Sequence, residues 1–122
     1  MINVTKGLVK GIEAQGHQVE LIDGLKSMDK KLTVYQYIVI GAEAISIFGK
    51  ISEKLTLFLS QAGQIMGKKS SAFILHSPLG STKAIETLMK AMEKEGMFLK
   101  FSDIIRTQDE AEEIGKNLHI SK

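Results

Sequence analysis

Apolar residues recur along this chain in two alternating rhythms. Val4, Leu8 and Ile12 stand four apart, the spacing of one buried helical stripe, and Gly16 follows as a stop. A helix is therefore expected over residues 4–15. Residues 18–23 (QVELID) are short and rich in branched side chains and read as a strand. Residues 24–36 are polar, carry Lys26, Lys30 and Lys31, and have too little periodicity for more than a loop or one or two helical turns. Tyr37, Ile38, Val39 and Ile40 then form a continuous apolar run ended by Gly41, and Ala72, Phe73, Ile74 and Leu75 form a second, ended by His76, Ser77 and Pro78. A run with no polar alternation fits a strand covered on both faces.

Helical spacing returns between and after these runs. Ile51, Leu55, Phe58, Leu59 and Ala62 predict a helix over residues 51–66. Ile85, Leu88, Met89 and Met92 predict another, with Ser81 as its cap and Gly96 as its end. Residues 97–105 read as a last strand. Lys100 lies between Leu99 and Phe101, so one position there faces water, as at a sheet edge. Thr107 and Glu110 have capping-box spacing for a final helix, with Asp109, Glu110, Glu112 and Glu113 in its first turns and Lys116 and Lys122 toward its end. The order is α-β-loop-β-α-β-α-β-α, the pattern of a parallel α/β sheet in one domain spanning residues 1–122. Ligands of such sheets sit beyond the carboxyl ends of the strands.

Composition narrows the chemistry. Sixteen basic and 14 acidic residues give a net charge of +2, with the two signs interspersed, which leaves no nucleic-acid footprint. The absence of cysteine excludes disulfides, thiolate catalysis and cysteine-ligated metal. No apolar run approaches a membrane span and no signal pattern opens the chain, so a cytoplasmic protein without membrane partners is expected. His17 and His119 have no partner at ligand spacing, and no metal site is expected. Ser81 has no histidine–acid pair beside it and reads as a cap, not a nucleophile. The methionines read as core filler, and Lys68 and Lys69 as solvated residues opening a strand. Asp23, at a strand end, has no glycine fingerprint before the first helix and carries no dinucleotide reading. It is also the lone acid of the cluster that a phosphoacceptor would need.

The order and spacing of these segments resemble the flavodoxin family over nearly the whole chain. YQYIVIGAEAISIFGKISEKLTLFL is similar to the family's third strand, flavin loop and following helix, where Gly41, Gly49, Lys50 and Ile51 fit the pattern and Ala42 and Glu43 replace a Ser-Pro. KKSSAFILHSPLGSTKAIETLMKAMEKEGM resembles the fourth strand, second flavin loop and fourth helix, and EAEEIGKNL the last helix. The resemblance implies a three-layer αβα fold, FMN as cofactor, one- or two-electron transfer and a redox partner protein. It places the flavin beside Gly41, Ala42, Glu43, Phe48 and Gly49 in one loop and His76, Ser77, Pro78, Leu79 and Gly80 in the other. Phe48 is then a stacking group; the simpler reading packs it in the core of a β-to-α connection. Glu43 would repel a reduced, anionic flavin.

The front fits only in part. The family wraps the FMN phosphate in a Ser/Thr-x-Thr-Gly-x-Thr loop between its first strand and first helix. Asn3 and Thr5 align with the tail of that loop, Ile2 stands where the glycine belongs and Val4 where a hydroxyl belongs. The chain is thus expected to lack the first strand and most of the phosphate loop, leaving about four parallel strands, with flavin binding weakened or lost and no catalytic side chain. The alternative function is a non-catalytic domain of this fold that acts through protein association. In the family's strand order, 2-1-3-4-5, the first strand is central, and its loss opens a slot of about 10 Å. Each buried orphan backbone group costs about 1–3 kcal/mol, so the slot must close. Either residues 18–23 slide beside residues 37–40, or another chain pairs there, or the native start lies upstream of Met1. The exposed edge makes a homo-oligomer, most simply a homodimer, the expected state.

Overall fold

A computed structural model describes residues 2–24 and 26–120. The elements run α1 (Ile2–Ala14), β1 (Tyr37–Glu43), α2 (Glu53–Ser60), β2 (Lys69–Leu75), α3 (Ser81–Lys94), β3 (Phe98–Ile105) and α4 (Gln108–Asn117). They fall into two compact units. One joins the segment up to Ile22 with the segment from Ile105 onward; the other is Asp23–Ile104.

In the first unit α1 lies against α4. Val4, Leu8 and Ile12 are buried as their spacing predicts. What lets the two helices approach is the loss of side chains on the facing ridges. A Cβ on Gly11 would stand 2.2 Å from the Glu112 carbonyl oxygen, and one on Gly7 would stand 2.4 Å from that of Gln108. On α4, Ala111 and Gly115 are buried opposite them. Gly16 ends α1 at φ 96°, the left-handed conformation that stops a helix. Gln15 then reaches across to the end of α4, its amide donating to the Gly115 and Leu118 carbonyls at 2.6 and 3.0 Å. Thr107 caps α4, its hydroxyl accepting from the Glu110 N–H at 3.1 Å.

The second unit is built on a parallel three-stranded sheet in the order β1-β2-β3. β1 and β2 pair from Tyr37 opposite Lys69 to Glu43 opposite Leu75. β2 is central, and Ser70 through Ile74 are all buried, as an uninterrupted run should be. Its two buried hydroxyls are satisfied: Ser71 bonds the Tyr37 phenol and Ser70 donates to the Phe98 carbonyl. α3 packs on β2 and β1, its seam being Ala84, Leu88 and Met92, with Ile85 and Met89 at the flanks.

Several expectations need correction. Residues 18–23 enter no ladder; among the described residues the sheet has three strands, not four. Strand propensity reflects fit to a pleated surface beside other strands; here Val19 and Ile22 are half-buried, but Leu21 is 62% exposed and no described strand pairs with the segment. β1 is not covered on both faces. It is a terminal strand that continues through Gly41 to Glu43, with Ile38 and Ile40 buried while Gly41 and Glu43 are exposed. Residues 24 and 26–36, by contrast, are the loop with turns that their weak periodicity leads one to expect. α2 stops at Ser60, well before residue 66, because residues 31–33 seize its end. The Leu32 N–H donates to the Ala62 carbonyl, Lys31 donates to the Gln61 carbonyl, and the Thr33 hydroxyl accepts from the Gln64 N–H. Lys68 is not simply solvated, since its ammonium donates to the Tyr35 carbonyl at 2.6 Å. Met92 and Met97 are core residues, but Met66 is exposed.

Candidate functional site

The site that the resemblance implies divides between the two units. Asn3 and Thr5 are in the first turns of α1, Asn3 exposed and Thr5 half-buried. The other ten residues lie at one edge of the second unit. Gly41, Ala42 and Glu43 finish β1, whose partners Phe73, Ile74 and Leu75 finish β2, so the chain leaves both strands at the same carboxyl edge. Residues 44–52 and 76–80 are the two loops that follow.

Short-range hydrogen bonds shape the first loop. Ser46 accepts from the N–H groups of Phe48 and Lys50 at 3.2 and 3.3 Å, the Gly49 N–H donates to the Ser46 carbonyl, and Ile45 donates to Lys50. The result is a tight turn with Gly49 at φ 80°. In the second loop Ser81 is not the helix cap. Gly80 takes the cap position at φ 88° without a side-chain bond, and Ser81 is already helical. Its hydroxyl accepts from the Ser77 N–H at 2.7 Å and donates to the Ser77 carbonyl at 2.8 Å, while the Ser77 hydroxyl donates to the Leu79 carbonyl.

The two loops interlock. A Cβ on Gly49 would lie 2.3 Å from Lys83 Cβ and 2.8 Å from the Ala84 nitrogen; one on Gly80 would lie 2.4 Å from the Ser46 carbonyl oxygen. Only glycine meets both demands, positive φ and backbone contact, at these two points. Gly49 and Gly80 are therefore the pins that hold the first loop against the start of α3. In the sequence Gly49 stands out only through the family resemblance, and nothing there marks Ser46 as the organiser of its loop.

Both loops expose apolar side chains. Ile45, Ile47, Phe48 and Leu79 are 63, 56, 71 and 64% exposed, and Pro78, His76, Glu43 and Lys50 are exposed in the same segments. Phe48 is thus not a core residue. Exposed apolar side chains of this kind suit contact with an aromatic ring system. A phosphate finds nothing comparable in these loops, because the hydroxyls of Ser46, Ser77 and Ser81 are all engaged within their own turns. Asn3 and Thr5 sit inside a helix, and the positive-φ glycines of the described residues all lie after α1. These loops thus offer exposed apolar side chains but no unengaged serine hydroxyl.

Elsewhere, a shallow groove of about 470 Å³ runs beside the end of α4, lined by Gln15 and residues 116–120. Gln15 is already spent on helix carbonyls there. Among the described residues no three histidine, aspartate or glutamate side chains group as metal ligands, and no helix is long and apolar enough to cross a membrane. No family model matches the chain, and no curated protein sequence matches it.

Proposed function

We propose that this chain is a flavodoxin-like electron-transfer protein whose two carboxyl-edge loops receive the ring of a flavin, with FMN held weakly. The observation that carries the reading is the interlock of loop 44–52 with loop 76–80, which leaves Phe48 and Leu79 exposed together with Ile45 and Ile47. A bound flavin supplies the electron chemistry. The chain's own residues would orient the ring by stacking and exclude water from one face. No side chain at this edge is placed as an acid, base or nucleophile. The serine hydroxyls of the two loops are engaged within their own turns, so the phosphate of FMN should add little to the binding of the ring.

A second reading is favoured by the same four exposed apolar side chains. The domain acts without a cofactor, and the face docks another protein. Titrating the protein with FMN and with riboflavin while following flavin fluorescence separates the two. The flavin reading expects both ligands to bind weakly and alike, and Phe48→Ala to abolish the signal. No binding of either ligand at millimolar concentration would leave the association reading. Sub-micromolar FMN with weak riboflavin would mean that a phosphate cradle exists after all.

A further inference from the structure

We infer that β1 is a strand-pairing surface for a second copy of this chain, joined antiparallel through the outer edge of residues 37–43. The observation is independent of any flavin. Among the described residues β1 ends the sheet, so the backbone groups on its outer side enter no ladder with another described strand. Its middle, Tyr37 through Ala42, has no charged residue, no proline and no bulge, the devices by which free edges are blunted. The opposite terminal strand, β3, does carry such devices, with Lys100 and Asp103 both exposed within it. Gly41 is exposed although it has no side chain, so what solvent reaches there is backbone.

A second copy suits this edge because the strand complements itself. About a two-fold axis at Ile40, Tyr37 of one copy faces Glu43 of the other, Ile38 faces Ala42, Val39 faces Gly41 and Ile40 faces Ile40. The strand's single charged position does not face its own copy, so no like charges oppose one another. Such pairing is isologous and closes at two copies, giving a continuous six-stranded sheet with no further β1 edge to recruit a third.

Sedimentation velocity of the full chain from 1 to 500 μM, combined with hydrogen–deuterium exchange, tests this. The expected result is a concentration-dependent dimer in which amides of residues 37–43 gain protection as the dimer forms. Gly41→Lys places two ammonium groups at the pairing edge and should weaken the dimer at least tenfold while leaving the circular dichroism spectrum unchanged. Glu43→Gln, which removes the only charge without adding one, should leave the dimer intact. A monomer throughout the concentration range overturns the inference. So does a dimer whose β1 amides exchange as fast as in dilute solution, or one that Gly41→Lys leaves unaltered. If Gly41→Lys fails to fold, the protection pattern of the native chain decides alone.

Discussion

Gly11→Ala puts a number on the closeness of α1 and α4. In a solvent-exposed helix the change should stabilise, because alanine exceeds glycine in helix propensity by about 1 kcal/mol. Here the new methyl group would lie 2.2 Å from the Glu112 carbonyl oxygen, 2.8 Å from the Lys116 nitrogen and 2.9 Å from Gly115 Cα. All three are backbone atoms, so no side chain can turn aside and α4 must retreat by roughly 1 Å. Overpacking of this kind costs about 1–3 kcal/mol, and retreat also loosens the contacts of Leu8 and Ile12. The upper part of that range, less the propensity gain, leaves a net loss of about 1–2 kcal/mol. In a chain of this size that lowers Tm by roughly 3–8 °C. Urea unfolding followed by circular dichroism measures it, with Lys6→Ala and Lys6→Gly as the exposed reference pair on the same helix. The sign is the test. If Gly11→Ala stabilises by as much as the reference pair differs, the helices are not in backbone contact at Gly11 and the packing of the first unit is wrongly described.

Three other outcomes are expected. Thr107→Ala removes the hydroxyl that accepts from the Glu110 N–H and should cost about 1 kcal/mol in urea unfolding, with Thr107→Ser restoring most of it. Phe48→Ala should change stability by less than about 0.5 kcal/mol, since the ring is 71% exposed, and any flavin binding should fall with it. Stability should vary with pH at both ends. The hydrogen bond from Lys116, with the charge of Lys10 beside it, holds the Glu112 carboxyl below its ordinary range against the opposing effect of desolvation. That contribution is present above the unfolded carboxyl's pKa and is lost as pH falls through the folded one, so Glu112→Gln should flatten the acid limb. Burial raises the Tyr37 phenol, against the hydrogen bond with Ser71. Its contribution is complete below the unfolded phenol's pKa and is lost as pH rises through the folded one, so Tyr37→Phe should flatten the alkaline limb. Urea midpoints of the native chain and the two variants between pH 3 and 11 show both.

Much of the architecture was legible because burial leaves periodic marks. Val4, Leu8 and Ile12 mark α1, Leu88 and Met92 the seam of α3, and the run before His76 the central strand. What was not legible depends on neighbours that a run of residues does not name. The apolar runs of β1 and β2 look alike in sequence, yet among the described residues only β2 is flanked on both sides, and only it is buried without a break, from Ser70 to Ile74. Residues 18–23 have strand composition and no strand beside them. Ser81 has the chemistry of a cap, but a left-handed glycine before it takes that place and frees the hydroxyl to tie the loop to Ser77. For the site, sequence order brought the two loops to one sheet edge. That they interlock through Gly49 and Gly80, and that Ile45 and Ile47 are exposed beside Phe48, required coordinates.

The central claim is that the interlocked loops after β1 and β2 form a binding face for a flavin ring. Amide chemical shifts of the isotopically labelled chain, followed through titrations with FMN and with riboflavin, test it most directly. Shifts should be confined to residues 41–50 and 76–83, with the two ligands giving closely similar dissociation constants. Shifts that gather instead at Gln15 and residues 116–120, or none at millimolar ligand, would contradict it.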